Sequence, residues 1–278
     1  MKYSCNTWAF SSYPNWLPAY PLEQVIERLA SMGYDAIELG CTAPHAWPEF
    51  LDTQQRSTIR KLAKKNHINF STLLPVTGPG PGNNPASGNE KERRWITRHL
   101  LDICDFAHEL ECKKILYVAG FFIHGDSKDE AWNYSLECLQ TVARYAQGKG
   151  ISMIIEPTSA DSNLVESIDD ALLMKRQSGL SNVEVMFDTF HAFYRSEQPV
   201  EHIYRLGTEL SHLHISDYDR MGPGAGGFDF SGVMQALKDT GFDGYITLEA
   251  GFTERRLQPF DIARRSIEYL KNIEKNLK

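Results

Sequence analysis

The sequence has no CxxC pair, few cysteines and no apolar run that approaches the length of a membrane span. Its five cysteines are an odd number, which argues against a disulfide framework and against a zinc ribbon. Reduced thiols are typical of proteins in the cytoplasm. Because residues 1–4 lead directly into a strand-like pattern, we also expect no signal peptide. These absences predict a cytoplasmic protein that has no membrane partner.

Dense clusters of one charge are absent as well. Lys and Arg number 29, Asp and Glu number 36, and the formal net charge is −7. The basic runs at 60–65 and 91–94 are short and contain helix-forming residues, so we interpret them as solvated helix faces. A nucleic-acid surface needs clustered basic side chains. The charge pattern therefore argues against nucleic acid as a partner.

The sequence does contain a regular alternation of strand and helix patterns along its whole length. The strand patterns lie at 3–8, 35–40, 68–75, 113–119, 151–156, 183–188, 211–216 and 244–249, and the helix patterns lie between and after them. Eight such pairs with short links favour a closed parallel barrel over an open sheet. A length of 278 residues is usual for this architecture. We therefore predict one (β/α)8 TIM-barrel domain that spans residues 1–278.

Two stretches rich in glycine and proline, 78–84 and 222–227, follow the third and seventh strand patterns. This position predicts loops over the carboxyl ends of the strands. Neither stretch has the GK[ST] of a P-loop or the context of a dinucleotide-binding fingerprint. We interpret them as loops that shape a pocket or hold a phosphate through backbone N–H groups. Irregular surface loops are the alternative for both.

The last four strand patterns each carry a ligand-type side chain at or near the carboxyl end. These side chains are Glu156, Asp188, His214 and Glu249. A parallel barrel has its active site at this edge of its strands, so we expect the four groups to converge. One imidazole and three carboxylates suit a single hard or borderline divalent ion. The sequence therefore predicts a metal site that accepts Mn²⁺, Co²⁺, Mg²⁺ or Zn²⁺.

A second histidine, His212, lies on the same face of the seventh strand as His214. It lies deeper in the strand than His214, where a buried and hydrogen-bonded side chain is the ordinary outcome. We therefore assign a structural role to His212 and metal ligation to His214.

The segments Glu156-Pro157, Phe187–His191, His212–Asp217 and Leu248-Glu249 resemble the sugar isomerase/epimerase superfamily of xylose isomerase-like barrels. Within it, the sequence is most similar to the ketose 3-epimerases of the D-tagatose/D-psicose and fructoselysine types. The separations of 32, 26 and 35 residues between the four ligands follow the pattern of that family. The resemblance implies an enzyme with one Mn²⁺-like ion and a small-molecule sugar or sugar derivative as its substrate.

The resemblance also implies which side chains contact the substrate. His191 and Arg220 match positions that bind the oxygens of a ketose, and Asp161 stands where the family usually has a second Glu. Trp8 would end the first strand, and His45 lies in a segment that resembles a substrate loop of fructoselysine-type members. For both residues, simple packing of the barrel mouth is the alternative. A homodimer or homotetramer is the assembly that the resemblance implies.

The chemistry of a ketose is consistent with these residues. A ketose has a weakly acidic C–H bond beside its carbonyl group, and removal of the proton gives an enediolate that a nearby cation stabilises. Glu156 and Glu249 come from strands far enough apart to flank a sugar. One carboxylate can remove a proton and the other can return one to the opposite face. We therefore predict a sugar (ketose) 3-epimerase or isomerase in which these two residues are catalytic.

Alternative functions use the same constellation. An aldose–ketose or sugar phosphate isomerase would move the proton between other carbons, and an inosose dehydratase-type lyase would expel water. A sugar-binding barrel would bind without conversion. An apurinic-site endonuclease needs three metal ions and extra histidines, and residues 226–230 contain none. The acidic charge balance disfavours that enzyme as well.

Overall fold

The computed structural model describes residues 1–11, 19–76, 82–251 and 258–277 of the chain. Its eight strands are β1 (Lys2–Asn6), β2 (Ala36–Cys41), β3 (Asn69–Pro75), β4 (Lys114–Val118), β5 (Ser152–Glu156), β6 (Val183–Asp188), β7 (Leu210–Ile215) and β8 (Tyr245–Leu248). Each strand is parallel to its neighbours, and β8 pairs with β1 to close the barrel. The predicted (β/α)8 barrel is confirmed.

Nine α-helices lie in the described part of the chain, one more than the sequence pattern predicts. They are α1 (Leu22–Ser31), α2 (Thr53–Lys65), α3 (Glu90–Glu109), α4 (Lys128–Gln147), α5 (Ile168–Ser178), α6 (Thr189–Tyr194), α7 (Pro199–Leu206), α8 (Ser231–Asp239) and α9 (Pro259–Glu274). The additional helix is α6, which directly follows β6. Its six residues are too few to show a helical period in the sequence.

Local signals in the sequence explain where several helices begin. The Asp52 side chain accepts a hydrogen bond from the Gln55 backbone, and the Gln55 side chain accepts one from the Asp52 backbone. Ser167 and Asp170 form the same reciprocal pair at the start of α5. Such capping boxes satisfy backbone donors that the first helical turn leaves free. They fix the point at which the chain leaves each loop for the outer layer of helices.

The interior of the barrel is apolar on one side and polar on the other. Its apolar side is a buried cluster of Leu74, Leu116, Ile154 and Met186, against which Trp8 packs. The polar side includes the fully buried Glu38, His212 and Thr247. Because side chains alternate along a strand, Ile154 shares the inward face with Glu156, and Met186 shares it with Asp188. The alternation that builds the apolar interior thus brings both carboxylates to the mouth.

The outer layer of helices is amphipathic throughout. A large hydrophobic core lies between the strands and the helices, and all five cysteines are free and buried. Within the described residues, none of the helices has the length and apolar character needed to cross a bilayer. Of the two loops rich in glycine and proline, residues 222–227 are described, whereas 77–81 lie outside the described residues.

Candidate metal centre

The four side chains predicted as metal ligands converge at the carboxyl end of the barrel. Glu156 ends β5, Asp188 ends β6, His214 lies near the end of β7, and Glu249 directly follows β8. All four are buried. A ligand atom of each lies within 4.8 Å of a ligand atom of every other. The four residues therefore form one compact group.

The imidazole of His214 lies at the centre of this group. Its Nδ1 atom is 3.0 Å from Glu156 Oε1 and 3.1 Å from Glu249 Oε2. Its Nε2 atom points away from the mouth and is 2.9 Å from Glu38 Oε1. Burial lowers the pKa of His214, but the carboxylates around it, first of all Glu38, raise it well above its usual value. Nδ1 is therefore the nitrogen that faces the proposed metal position.

Asp188 has two distinct roles through its two oxygen atoms. Its Oδ1 atom accepts a 2.8 Å hydrogen bond from the Phe190 backbone and thereby caps α6. Its Oδ2 atom is paired with the Arg220 guanidinium. Burial raises the pKa of Asp188 to about 8, and the positive charge of Arg220 opposes this shift. The helix cap fixes the carboxylate so that one oxygen always faces the group.

Arg220 brings a positive charge beside two of the three carboxylates. It is buried, its Nη1 atom is 2.8 Å from Glu249 Oε2, and its guanidinium stacks 4.1 Å from the centre of the Phe190 ring. Burial raises the pKa of Glu249, but Arg220 and His214 outweigh burial and lower it to about 2. Burial raises the pKa of Glu156. The two carboxylates thus experience opposite electrostatic environments.

The donor set fits a divalent metal ion. Three carboxylates and one imidazole nitrogen supply hard and borderline ligands, and their burial makes an added positive charge favourable. A second set of ligand atoms, from Glu38, His212 and His214, also lies within 4.8 Å of one another. Hydrogen bonds already join the Glu38 carboxylate to Nε2 of both histidines. The four-residue group could therefore hold a metal ion, and Glu38 contacts its imidazole from the opposite side.

Glu38 is the residue of this site to which sequence reasoning gave no role. It is fully buried and accepts hydrogen bonds from Asn6 Nδ2 at 2.8 Å, from the Thr72 hydroxyl and from the two histidines. Burial opposes ionisation, but His214 and His212 lower the pKa of Glu38 well below its usual value. The available signal was a Glu in the second strand pattern, and the structure places it third of the six residues of β2. The sequence did not indicate that Glu38 contacts the histidines of β7, because β7 is far from β2 along the chain.

His191 reaches the same group from α6. Its Nδ1 atom accepts a 3.2 Å hydrogen bond from the Ala160 backbone, so in the neutral ring Nε2 has the proton. Nε2 is 3.6 Å from Asp161 Oδ2 and 4.0 Å from Asp188 Oδ2. Burial, followed by the charge of Arg220, lowers the pKa of His191 well below its usual value. The structure thus brings His191 and Asp161 to the edge of the four-residue group.

Trp8 forms part of the inner wall. It lies in a 3₁₀ turn, Trp8–Phe10, directly after β1, and it packs on the apolar side of the interior. Its indole passes over Gly40 of β2, where an added Cβ atom would be 2.2 Å from Trp8 Cδ1. The close approach requires glycine at position 40.

We expect Gly40→Ala to displace the Trp8 indole and to lower stability. Overpacking of a filled interior costs about 1–3 kcal/mol, which corresponds to a fall of several degrees in Tm, measured by calorimetry. Gly88→Ala is the matched control, because an added Cβ atom there meets nothing within 4 Å. Equal melting temperatures for the two variants would show that the indole moves without cost.

His45 occupies a different environment from the other predicted contacts. It is buried, and its Nε2 atom lies 2.6 Å from the Tyr20 carbonyl oxygen. Because a carbonyl only accepts, Nε2 is the donor. Among the described residues, His45 has no hydrogen bond or ion pair with the four-residue group. A role of His45 in substrate binding stays a prediction.

Comparison with known proteins gives matches that extend over most of the chain. A sequence model described as xylose isomerase-like TIM barrel matches residues 26–273. A fructoselysine 3-epimerase of Escherichia coli O157:H7 is 27% identical over 254 residues, with 89% of this chain and 92% of that protein covered. The match thus extends over most of both proteins.

Solved structures with this fold are also similar. The structure of D-psicose 3-epimerase with D-tagatose from Clostridium cellulolyticum H10 has a TM-score of 0.81 at 20% identity, over 100% of this chain and 99% of that one. The structure of IOLI protein with a zinc atom has a TM-score of 0.81 at 19% identity, over 100% and 99% of the two chains. At these identities the likeness shows the fold alone.

Proposed function

The chain belongs to the xylose isomerase-like TIM-barrel family, and we propose that it is a divalent-metal-dependent sugar epimerase that acts at C3 of a ketose. The observation that carries this proposal is the position of two carboxylates. Glu156 and Glu249 come from β5 and from the end of β8, and both contact the Nδ1 atom of His214. They therefore face one small volume from two directions.

Two carboxylates in this arrangement can invert a carbon atom. One of them accepts the proton from C3 on one face of the sugar, and the other delivers a proton to the opposite face. A divalent ion, when it is bound, supplies positive charge to the oxygens on which negative charge develops. Glu156, Asp188, His214 and Glu249 are the residues that would hold this ion. The order in which the two glutamates act depends on which epimer is the substrate.

Two further side chains would orient the sugar and stabilise its charge. The Arg220 guanidinium already pairs with Asp188 and Glu249, so it provides positive charge beside both. The Nε2–H group of His191 would donate to a ketose oxygen, since Ala160 holds the opposite ring nitrogen. Asp161 would accept hydrogen bonds from hydroxyl groups farther along the sugar. Trp8 would form the apolar surface beneath the sugar ring or chain.

The similar proteins support the choice of carbon and of substrate class. A fructoselysine 3-epimerase and a D-psicose 3-epimerase have names that specify C3. We propose Mn²⁺ as the ion, although the IOLI protein binds zinc and the donor set accepts both. We also propose that the chain works in the cytoplasm as a homodimer or homotetramer.

Isotope exchange tests the proposed reaction. We expect the protein, loaded with Mn²⁺, to convert at least one ketose or ketose derivative in D₂O into its C3 epimer with one deuterium at C3. The panel contains free ketoses, ketose phosphates and ketoses with an amine substituent at C1, and NMR and mass spectrometry locate the label. The same panel after chelation and dialysis is the control.

Each alternative gives a different product. Deuterium at C1 or C2 would identify an aldose–ketose isomerase, and loss of water from a cyclic polyol would identify a lyase. Binding of a sugar with no exchange at any carbon would contradict an enzymatic role. Full turnover after complete removal of metal would contradict the metal dependence.

A further inference from the structure

We propose that Asp217 is a positioning residue that fixes the catalytic orientation of Arg220. This inference rests on the proposed function, because it concerns the arginine that would stabilise charge on the sugar. Asp217 follows β7 and is fully buried. Within the described parts of the chain, its side chain has no hydrogen bond to the four predicted ligands. Its effect would be transmitted through the loop between β7 and α8.

The Asp217 carboxylate organises this loop through backbone contacts. Its Oδ1 atom accepts hydrogen bonds from the N–H groups of Tyr218 at 2.9 Å and Phe228 at 3.1 Å. Its Oδ2 atom accepts from Gly224 at 3.1 Å and Gly226 at 2.9 Å. A carboxylate with four N–H donors satisfies backbone groups that would otherwise be buried without partners. One side chain thus joins the beginning of the loop to its end.

The segment held in this way contains an unfavourable backbone conformation. Asp219 and Arg220 are consecutive and have φ values of 56° and 58°. Residues other than glycine seldom adopt this left-handed region, because the Cβ atom then lies too close to the backbone. The surroundings must therefore impose the conformation. The side-chain hydrogen bonds of Asp217 hold the chain on both sides of the pair. They act together with the backbone hydrogen bonds from Asp217 N–H to the Met221 carbonyl at 2.8 Å and from Met221 N–H to the Tyr218 carbonyl at 3.1 Å.

The strained pair determines where the arginine side chain goes. The Arg220 carbonyl accepts a 3.0 Å hydrogen bond from the Gly251 backbone, which connects the loop to the chain just after Glu249. From this fixed peptide the guanidinium reaches Asp188 and Glu249 and stacks on Phe190. A right-handed backbone at position 220 would direct the side chain elsewhere. The loop conformation and the position of the guanidinium are therefore coupled.

Gly226 shows how closely the loop packs against the Asp217 carboxylate. An added Cβ atom at position 226 would be 2.5 Å from Asp217 Oδ1 and 2.7 Å from its Cγ. The φ angle of Gly226 is not in the left-handed region, so glycine is needed for space and not for backbone conformation. Gly226→Ala should therefore move the carboxylate, and it tests the same coupling without a change of charge.

Asp217→Asn tests the proposal through the separation of kcat from KM. The amide keeps the shape but replaces an acceptor oxygen by a donor that faces N–H groups. We expect kcat to fall roughly 10- to 100-fold, as for a misplaced catalytic group, with a smaller change in KM. Asp229→Asn is the matched control, since Asp229 accepts one hydrogen bond in the same loop, from Ser231. We expect wild-type kinetics from this control.

A double-mutant comparison separates positioning from general loss of structure. If Asp217 acts through Arg220, Asp217→Asn should have no further effect on kcat in an Arg220→Lys background. An equal loss in both backgrounds, or a wild-type kcat for Asp217→Asn, would overturn the inference. Gly226→Ala should follow the same pattern with a smaller loss of kcat.

An NMR measurement keeps the inference testable without turnover. Arg220 is buried, so its Nε–H resonance should exchange slowly with solvent, and its absence in Arg220→Lys assigns it. We expect that resonance to shift and to exchange faster in Asp217→Asn, but not in Asp229→Asn. An unchanged resonance in Asp217→Asn would contradict the inference. A wild-type protein that converts no ketose would instead contradict the proposed function and leave this measurement intact.

Discussion

Glu156→Gln should reduce epimerisation by about 10²- to 10⁴-fold, the usual contribution of a positioned acid or base. Glutamine keeps an oxygen ligand at the end of β5 but cannot accept the substrate proton. Glu156 Oε1 is 3.0 Å from His214 Nδ1, so one amide oxygen can take the same place. We therefore expect weakened but measurable binding of Mn²⁺, together with binding of the sugar. Single-turnover kinetics and a metal titration measure the two quantities separately.

Glu249→Gln should give a loss of similar size for the complementary step. The two variants differ in isotope exchange, because each retains one functional carboxylate. The variant that keeps the base for a given epimer should still exchange the C3 proton of that epimer with D₂O, without net inversion. Glu201→Gln, which alters an exposed side chain of α7, is the control. Near-normal turnover by both active-site variants on every convertible sugar would refute the two-carboxylate mechanism.

The convergence of the four predicted ligands was accessible from sequence for a physical reason. Each of Glu156, Asp188 and Glu249 follows a short apolar segment, and such segments in a parallel barrel all end at the same edge. Period-2 alternation then gives the side of the strand on which each residue lies. His214 could be distinguished from His212 by depth alone. The structure confirms the barrel and places the four side chains together.

Features that depend on contacts between remote segments were not accessible in this way. Glu38 supports His214 across 176 residues of sequence, and a single Glu within a strand pattern does not indicate its partner. Asp188 caps the short helix α6, whereas the sequence pattern indicated only a ligand at this position. The role of Asp217 depends on four backbone N–H groups, and nearly every residue has such a group, so the sequence does not show which of them a carboxylate contacts.

The position of Glu38 predicts that the affinity for a metal ion depends partly on a contact deeper in the barrel, between Glu38 and His214. The Nε2 atoms of His212 and His214 are both 3.0 Å from Glu38 Oε2. Since the pKa of Glu38 is lowered well below its usual value by the two histidines against the effect of burial, the carboxylate is ionised and accepts from Nε2 of His214. This hydrogen bond leaves Nδ1 as the ligand atom. A carboxylate behind a ligating imidazole also increases the basicity of that ligand.

Glu38→Gln should therefore weaken the binding of Mn²⁺ by about 10- to 100-fold, the usual effect of losing such a partner. Glutamine has the same size, but its NH₂ group would face donors from Asn6, Thr72 or the histidines, so the imidazole of His214 would lose its fixed orientation. Competition with a chromophoric chelator measures the dissociation constant.

Thr72→Val is the control for this experiment, because it removes one donor to Glu38 and keeps the charge behind His214. We expect a smaller change in the affinity for Mn²⁺ from this control than from Glu38→Gln. Circular dichroism verifies that both variants are folded. A folded Glu38→Gln protein with the wild-type dissociation constant would show that the four ligands alone determine the affinity. In that case the Glu38 carboxylate would serve only as a hydrogen-bond acceptor for the buried polar side chains around it. Those donors would in turn stabilise its charge, because a buried ionised group without a partner is destabilising.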